Sequence, residues 1–572
     1  MDTRTLDRIE NNLYAVYGKE KGDRISKGIQ DLMSTYRQDG QTKEWVDEKD
    51  VMLITYGDSI KSDGEKPLET LRKFLEKYVG DTISSVHLLP FYPYTSDDGF
   101  SVQDYLTVSP ELGDWGMVHR LAEDYDLMFD AVINHISSKS DWFLRYLKGD
   151  PAFQDYFIES DPTVDYSSIV RPRALPLLTQ VDHLEGARHV WTTFSHDQID
   201  LNYRSEGLFL AVLEVLAQYV KHGARYLRLD AIGFLWKRLN TTSIHLEETH
   251  LIIQIMRDVL EEISPGTILI TETNVPHEDN ISYFGNGWNE AHMVYQFPLP
   301  PLTLHAFLSE NAEHLSKWAD ALEPTSAHTS FFNFLASHDG VGLRPVEGIL
   351  DEQEVQKMAD SVAKNGGYVS YKDNGDGTKS PYELNINYFS ALKREGDSDV
   401  QAVARFIAAQ TILLSVKGMP GIYVHSLLGS ENDQKGVEST GRYRSINREK
   451  LSVEQLEQEI QLEGSLREQI FNELMQSIKK RKSEKALHPN AEQKVCFLDA
   501  RLFAILRTYE KTGDKLLALI NVSGERVEIS LDTLKGELGT DNLKDAIGEA
   551  TYGAEEAVLQ LEPYQAMWLK KN

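Results

Sequence analysis

Short apolar runs that alternate with longer amphipathic stretches recur along most of this chain. Stretches such as LETLRKFLEKYV and LFLAVLEVLAQYVKHG carry apolar residues at helical spacing. Strand followed by helix, repeated, is typical of a parallel sheet, and we predict an α/β fold, a (β/α)8 TIM barrel. The eight predicted strands are VMLITYG from Val51, VHLLPF from Val86, LMFDAVINH from Leu127, RYLRLDAIG from Arg225, TILITETN from Thr267, HMVYQF from His292, FFNFLASHD from Phe331 and GIYVHS from Gly421.

Three of these runs end in a carboxylate: Asp230, Glu272 and Asp339. In a parallel barrel the C-terminal strand ends converge on one rim, so acids distant in sequence can surround one substrate. Two carboxylates about 5 Å apart can cleave a glycosidic bond with retention, one as nucleophile and one as general acid and then base. Each acid alone could equally be a strand-end cap or a surface carboxylate. Together they predict an active site for sugar transfer.

The chain has 572 residues, more than one hydrophobic core usually supports, so we expect attached modules. Residues 1–50 are predicted to form a helical N-terminal extension and residues 51–490 the catalytic barrel. Residues 137–195 are rich in Pro, Asp and aromatic residues, and we predict an inserted subdomain there, after the third strand. Residues 491–572 carry short alternating segments such as LLALINVSG and RVEISL, which predict a C-terminal antiparallel β-domain.

Charge and cysteine content exclude several classes of function. The net charge of −30 argues against nucleic acid as a partner, and no apolar run approaches the length needed to cross a bilayer. A single cysteine, Cys496, excludes an intramolecular disulfide and a thiolate zinc cluster. With an N-terminus that lacks a secretory pattern, these features predict a cytoplasmic protein. No metal and no organic cofactor are expected, because oxygen-ligand clusters, GxGxxG and P-loop patterns are absent from the sequence.

The strand ends DAVINH, RLDAIGF, ITETN and LASHDG resemble the four sequence regions of the α-amylase clan, retaining enzymes that act on α-glucosides. More closely, the chain resembles the sucrose phosphorylase branch of that clan. This resemblance runs almost from end to end, through ITYGDSI, HLLPFYPYTSDDGFSVQDY, VWTTFSHDQIDLNY, FPLPPL, HDGVGLRP, MPGIY and SINR. Within the branch, the N-terminal extension, RPRALPLLT and ITETNVPHEDNISYFG look most like glucosylglycerate phosphorylases.

The resemblance implies roles for the three acids. Asp230 would be the nucleophile that forms a β-glucosyl ester, and Glu272 would be the acid and base, with a raised pKa. Asp339 would bind sugar hydroxyls and stabilise the transition state. Arg228 lies two residues before Asp230 on the same strand face, so its guanidinium can keep the nucleophile ionised. The alternative for Arg228 is an ion pair of structural value only.

The resemblance also implies a pocket that holds one terminal glucose. His135 and His338 would donate to its hydroxyls, and Asp97 and Arg444 would bind its far side, which disfavours long polysaccharides. In isolation, such histidines and aromatic residues fit core packing equally well. The remaining implied glucose contacts are Phe100, Phe194 and Gln198.

In the phosphorylase branch, phosphate rather than water attacks the glucosyl ester, and α-D-glucose 1-phosphate is the product. Arg173 and Arg344 are candidates to hold the anion on the acceptor side, although either arginine could simply anchor a loop. Phe234 stands where the branch usually has tyrosine, and Asn274 where it usually has histidine. Losing a hydroxyl and an imidazole changes which acceptor can be hydrogen-bonded, so fructose is disfavoured and glycerate fits better.

These observations together predict an enzyme that carries out retaining phosphorolysis of a small α-glucoside, with glucosylglycerate as first choice. Sucrose phosphorylase is the alternative, followed by glucosylglycerol phosphorylase or an α-glucosidase or transglucosidase of the same clan. A non-enzymatic binding protein on this barrel is a different class of function, and three intact acids argue against it. The predicted partners are the α-glucoside and inorganic phosphate, with no nucleic acid and no membrane, for a monomer or homodimer.

Overall fold

Eight parallel strands close into a barrel in the computed structural model, which describes residues 3–38, 43–172, 175–374 and 377–572. Each barrel strand pairs with the next one along the chain, and the eighth pairs with the first. The predicted (β/α)8 barrel is therefore confirmed. In chain order the barrel strands are Met52–Thr55, Ser85–Leu88, Asp126–Ala131, Ala224–Leu229, Ile268–Thr271, Met293–Tyr295, Ser330–Asn333 and Met419–Tyr423.

The barrel strands are buried along their whole length except at Asp126, as expected for strands covered on both faces. They are shorter than the apolar runs in the sequence. The fourth strand ends at Leu229, the fifth at Thr271 and the seventh at Asn333, so the three acids follow their strands instead of belonging to them. Each acid thus lies on a loop that leaves the barrel at its C-terminal rim.

Amphipathic helices surround the barrel. Glu206–Lys221 is typical: Ser205 caps its N-terminus by accepting a hydrogen bond from the backbone N–H of Leu208, and Leu208 and Val212 are buried. The other helices of this outer layer are Pro67–Phe74, Trp115–Ala122, Glu247–Ile263, Leu299–Ser309, Glu313–Asp320, Glu352–Lys364, Asp399–Ser415 and Leu466–Arg481. Further helices are His277–Ile281, Tyr388–Leu392, Val424–Leu427, Gln434–Thr440 and Val453–Gln461.

The N-terminal segment forms two helices, Thr3–Tyr17 and Lys19–Tyr36, which pack on the barrel helices Glu206–Lys221 and Glu247–Ile263. Arg8 pairs with Asp258 at 2.6 Å, and the Tyr17 hydroxyl donates to the Tyr203 carbonyl at 2.7 Å. Ile9 and Leu13 of the first helix and Ile25 and Ile29 of the second are fully buried in the main hydrophobic core. The N-terminal helices are thus part of the outer layer of the barrel.

The segment after the third barrel strand lies over the rim. His135–Ser137 pairs antiparallel with Gln198–Asp200, and the chain between them holds the helix Asp141–Leu147 and the hairpin of Leu178–His183 with Gly186–Trp191. Ile169, Leu177 and Trp191 form a small core there. Both ends of this segment are consequently tied to the rim beside two predicted site residues, His135 and Gln198.

A second long excursion separates the seventh and eighth barrel strands, and the sequence did not reveal its structure. It contains Val341–Gly342 and the hairpin of Tyr368–Asp373 with Lys379–Asn385, which pair as a three-stranded sheet. This sheet places Glu383 beside the backbone N–H of Gly340, directly after Asp339. It therefore forms one wall of the rim.

The C-terminal part forms antiparallel sheets with a second hydrophobic core, as predicted for the fold. A helix, Leu531–Leu538, covers them. Among the residues described, no helix is long and apolar enough to cross a membrane. The larger sheet consists of Glu492–Val495, Leu502–Tyr509, Asp514–Asn521, Ala566–Lys571, Leu543–Asp545 and Thr551–Tyr552, and the smaller one of Val527–Ser530 and Val558–Leu561.

Candidate active site

A cavity of about 1520 Å³ opens at the rim, and nearly all the predicted site residues line it. The exceptions are Arg228, which is buried beneath its floor, and Arg173, which lies outside the described residues. The predicted residues that line the cavity are Asp97, Phe100, His135, Phe194, Gln198, Asp230, Phe234, Glu272, Asn274, His338, Asp339, Arg344 and Arg444.

The Arg228 guanidinium connects the acids on the cavity floor. It donates to Asp230 Oδ1 at 2.7 Å, and its Nη2 lies 3.9 Å from Glu272 Oε2. The backbone N–H of Ala231 donates to the same Glu272 oxygen at 3.1 Å. Because the guanidinium is closer to Asp230 than to Glu272, it favours the ionised form of Asp230 more strongly.

Asp130 holds Arg228 from below and was not singled out in the sequence. It is fully buried, accepts a hydrogen bond from Arg228, and lies 2.6 Å from His87 Nε2. Burial raises the pKa of Asp130, but Arg228 and His87 outweigh it and lower the pKa overall. Asp130 is thus a fixed negative charge that orients Arg228. Within DAVINH it looks like any strand residue, so the sequence carried no signal for this role.

The two candidate catalytic acids have raised pKa values. Burial raises the pKa of Asp230, and Arg228 opposes that effect. The pKa of Glu272 is raised to about 7: burial raises it most, Arg228 lowers it, and the charges of Asp230 and Asp339 raise it. Glu272 is therefore a carboxyl group that still holds a proton near neutral pH, beside a carboxylate that is paired with an arginine.

Asp339 is held in the ionised state. Burial alone would raise its pKa, but the positive charge of Arg444, with those of Arg448 and Arg228, keeps the pKa well below its usual range. Arg444 donates to Asp339 Oδ1 and also to Glu383 Oε1, the latter at 2.7 Å. A permanent negative charge at this position can stabilise positive charge that develops on a sugar ring.

Arg448 and Glu383 are further site residues that the sequence analysis did not select. Arg448 donates to the His338 carbonyl at 2.7 Å, pairs with Asp98, and places Nη2 3.7 Å from Asp339 Oδ1. The motif SINR contains Arg448 and could have drawn attention to it. Glu383 comes from the hairpin Tyr368–Asn385, and only the three-dimensional fold brings it to the site.

Both predicted histidines are buried and uncharged. Burial lowers the pKa of His338 to about 3, and its ring stacks on Phe100 with centroids 4.8 Å apart. Burial also lowers the pKa of His135, whose Nε2 lies 2.9 Å from the Phe100 carbonyl. That nitrogen therefore carries the ring proton and donates a hydrogen bond to the carbonyl oxygen. Phe194 packs beside His135 at 5.2 Å.

The loop that carries Asp97 is conformationally strained. Asp97 and Asp98 have φ angles of 55° and 48°, in the left-handed region that non-glycine residues rarely adopt. Gln198 Nε2 donates to Asp97 Oδ2 at 3.3 Å and to the Phe100 carbonyl at 3.0 Å, which holds the loop in place. Strain of this kind is typical of functional loops that their surroundings keep fixed.

Asp197 ties three segments of the rim together and was not predicted. Its Oδ2 accepts hydrogen bonds from the hydroxyls of Thr95, Ser96 and Ser101 at 2.6, 2.5 and 2.9 Å, and its Oδ1 accepts from Ser138 at 2.6 Å. Burial raises the pKa of Asp197, but these hydroxyls lower it overall. An ionised carboxylate thus fixes the loops that carry the predicted glucose contacts.

The acceptor side of the cavity combines aromatic, amide and cationic groups. The Phe234 ring lies 5.5 Å from Phe194, edge to face. Asn274 Oδ1 is buried and accepts no hydrogen bond within the described chain. A Cβ at Gly342 would lie 2.7 Å from Asn274 Nδ2, so glycine is needed there to make room for the amide. Arg344 follows on the same segment and is half-buried.

No set of three or more His, Cys, Asp or Glu side chains converges on a metal-binding position in the part of the chain that the structure describes. Several of the charged groups at the cavity are instead paired with one another, as in the pairs of Arg228 with Asp230 and of Arg444 with Asp339. The arrangement supports acid, base and nucleophile chemistry by carboxylates.

Residues 77–359 match the family model of the alpha-amylase catalytic domain. The chain is 48% identical to a glucosylglycerate phosphorylase of Escherichia coli over 92% of this chain and 93% of that protein. It is 32% identical to a sucrose phosphorylase of Streptococcus mutans over 72% of this chain and 83% of that one. A similar solved structure is sucrose 6F-phosphate phosphorylase from Thermoanaerobacter thermosaccharolyticum, with a TM-score of 0.72, 24% identity, and coverage of 84% of this chain and 94% of that one.

Proposed function

This chain belongs to the α-amylase family, in the sucrose phosphorylase branch, and we propose that it converts glucosylglycerate and inorganic phosphate into α-D-glucose 1-phosphate and glycerate, with retention. The observation that carries this choice is the 48% identity to a glucosylglycerate phosphorylase over 92% of the chain, against 32% over 72% for a sucrose phosphorylase. The charged product does not cross membranes freely, which supports our proposal that the enzyme acts in the cytoplasm. We further propose that it is a monomer or homodimer.

In the first half-reaction, a carboxylate oxygen of Asp230 attacks the anomeric carbon of the glucosyl unit. Glu272 gives its proton to the glycosidic oxygen, the bond between that oxygen and the anomeric carbon breaks, and glycerate leaves. A pKa of about 7 suits Glu272 to hold this proton at neutral pH and release it to the leaving group. Asp339 stabilises the positive charge that develops on the sugar ring.

In the second half-reaction, a phosphate oxygen attacks the anomeric carbon of the β-glucosyl ester and Asp230 leaves as a carboxylate. Esterification removes the negative charge of Asp230, which is one of the causes of the raised pKa of Glu272. Its pKa therefore falls in the intermediate, and Glu272 can act as a base that takes a proton from hydrogen phosphate. Two inversions at one carbon give net retention.

Glucose is held on one side of the acids and the acceptor on the other. We assign the glucose contacts to His135, His338, Asp97 and Arg444, with the apolar rings of Phe100 and Phe194 and the amide of Gln198 completing the pocket. Arg344 lines the opposite wall without a carboxylate partner among the described residues, which supports a role in holding phosphate. Arg173 keeps the same predicted role, although the structure does not describe it.

The proposal is tested by measuring release of α-D-glucose 1-phosphate and of free glucose from glucosylglycerate, sucrose and glucosylglycerol, each with and without phosphate. We expect phosphate-dependent release of glucose 1-phosphate from glucosylglycerate, with sucrose and glucosylglycerol at least about tenfold slower. Efficient release from sucrose would assign the chain to the sucrose phosphorylases, and free glucose formed at the same rate without phosphate would identify a hydrolase.

An Asp230→Asn variant is the matched control for this assay, because it keeps the shape of the side chain and removes the nucleophile. Its turnover is expected to fall by at least about 10³-fold, as for loss of a covalent catalyst. Unchanged turnover in this variant would show that another group attacks the anomeric carbon.

A further inference from the structure

The cavity is lined by seven lysines and arginines among the described residues, and four of them are paired with carboxylates. The paired ones are Lys372 with Glu347, Arg442 with Asp98, Arg444 with Asp339 and Glu383, and Arg448 with Asp98. The other three are Lys139, Arg171 and Arg344. Lys139 is exposed, whereas the two arginines are half-buried. A cation held in a cavity wall without a counter-charge indicates that the ligand supplies one.

Arg171 presents the geometry that suits a carboxylate. Its Nε and Nη2 are buried and donate no hydrogen bond within the described chain. These two nitrogens lie side by side on one edge of the planar guanidinium, the edge that binds both oxygens of a carboxylate at once. Unpaired buried donors cost free energy, and a bound carboxylate would remove that cost. The Arg171 side chain as a whole is half-buried and lines the cavity, so a rotation of the guanidinium would bring this edge to a ligand.

The backbone around Arg171 is anchored to the acceptor side. The N–H of Val170 donates to the Thr242 carbonyl at 3.0 Å, which joins the inserted segment to the loop after Phe234. Ser243 and His245 in that loop have φ angles of 50° and 56° and enclose Ile244, a cavity-lining residue. Non-glycine residues in this strained conformation cluster at ligand sites.

Asn274 adds a second unsatisfied group to the same cavity. Its buried Oδ1 accepts no hydrogen bond within the described chain, and Gly342 leaves the space that the amide occupies. A free amide oxygen accepts from a ligand hydroxyl and repels a carboxylate or phosphate oxygen. The same cavity wall therefore offers a cation at Arg171 and a hydrogen-bond acceptor at Asn274, the two kinds of group that a ligand with both a carboxylate and a hydroxyl needs.

We propose that Arg171 and Asn274 are the specificity-determining residues for a hydroxy-acid acceptor: Arg171 binds its carboxylate by both oxygens, and Asn274 Oδ1 accepts from its free hydroxyl. The assignment rests on the proposed function, because glycerate keeps one carboxylate and one free hydroxyl when its other hydroxyl is glucosylated. Neutral acceptors such as fructose and glycerol would leave the buried edge of the Arg171 guanidinium unpaired. The free-energy cost of that unpaired edge disfavours their binding relative to glycerate.

The test measures kinetics in the direction of synthesis, from α-D-glucose 1-phosphate and an acceptor, for Arg171→Gln and Asn274→Ala. Arg171→Gln is expected to raise KM for glycerate about 30-fold or more, because it removes a charge-assisted bidentate contact. KM for glycerol and for glucose 1-phosphate should stay within about threefold. Asn274→Ala should raise KM for glycerate about tenfold and leave KM for lactate unchanged, because glucosylated lactate has no free hydroxyl for Asn274 to bind.

Arg188→Gln is the matched control, since Arg188 lies on the hairpin of the same segment, outside the cavity, and pairs with Glu185 at 2.8 Å. Its kinetic constants should equal those of the unmodified enzyme. An unchanged KM for glycerate in Arg171→Gln would overturn the proposal, as would an equal rise for glycerol or glucose 1-phosphate. Failure of the unmodified enzyme to use glycerate would refute the proposed function instead, so the two failures are distinguishable.

Discussion

Among the three acids, Glu272 lies in surroundings that raise its pKa far above that of an ordinary glutamate. Its pKa is raised to about 7, against 4.5 for an unperturbed side chain, and burial is the largest cause. The neighbouring carboxylates of Asp230 and Asp339 also contribute to this rise, while Arg228, 3.9 Å away, opposes it. The same guanidinium lies 2.7 Å from Asp230. One shared arginine thus separates the behaviour of the two acids, so that one can hold a proton while the other is a nucleophile.

Glu272 makes the first half-reaction depend on pH. Only its protonated form can act as an acid, so kcat/KM for glucosylglycerate should fall about tenfold per pH unit above a midpoint near 7. On the acid side kcat/KM should also fall once Asp230, the nucleophile, becomes protonated. The measurement is a pH–rate profile under phosphate saturation. α-Glucosyl fluoride needs no proton to leave, so its profile should lack the alkaline decline.

A Glu272→Ala variant separates this role from effects on stability. It should lose at least about 10³-fold in kcat/KM with glucosylglycerate and retain most of its rate of glucosylation by α-glucosyl fluoride. Glu278→Gln alters an exposed acid on the neighbouring helix and should leave both rates unchanged. An equal loss with both substrates would contradict the assignment of Glu272 as acid.

At the scale of elements, the rim depends on how two loops are joined. The loop at residues 95–101 carries Asp97 and Phe100, and the loop at residues 194–198 carries Phe194 and Gln198. Asp197 joins them through the hydroxyls of Thr95, Ser96 and Ser101. The inserted segment starts beside Ser138, which also donates to Asp197, and ends in the second loop, so its packing and the shape of the glucose pocket are coupled.

Asp197→Asn should weaken glucose binding, because an amide accepts fewer hydrogen bonds and carries no charge to hold the hydroxyls together. We expect KM for both glucosylglycerate and glucose 1-phosphate to rise about tenfold, with KM for glycerate unchanged. Asp165→Asn, an exposed aspartate in the same segment, is the control and should have no effect. A fall in thermal stability with unchanged KM values would show that Asp197 has only a structural role.

At the scale of the whole molecule, much of the architecture could be predicted from the sequence. Each barrel strand is a short apolar run because both faces are covered, and this pattern is visible without a structure. Asp230, Glu272 and Asp339 were predicted because Asp230 and Glu272 directly follow such runs and Asp339 lies six residues beyond one. The apolar strands and the acids after them can be recognised from local sequence, and the barrel fold brings the acids together at one rim.

The residues that were missed owe their roles to contacts between distant parts of the chain. Asp130 orients Arg228 from a neighbouring barrel strand, and Glu383 reaches Arg444 from a hairpin in the second long excursion. Asp197 and Arg171 have no distinctive local pattern; only burial, hydroxyl partners or missing partners reveal them. Arg173 was chosen from the motif RPRALP, whereas the structure drew attention to Arg171 two residues earlier.

The anomeric configuration of the product tests the central claim most directly. We would follow phosphorolysis of glucosylglycerate in phosphate buffer by proton NMR and identify the first glucose species formed. Double displacement through Asp230 predicts α-D-glucose 1-phosphate as the initial product, with one glycerate released for each phosphate consumed. β-Glucose 1-phosphate would contradict the covalent intermediate, and free glucose in place of the phosphate ester would contradict phosphorolysis itself.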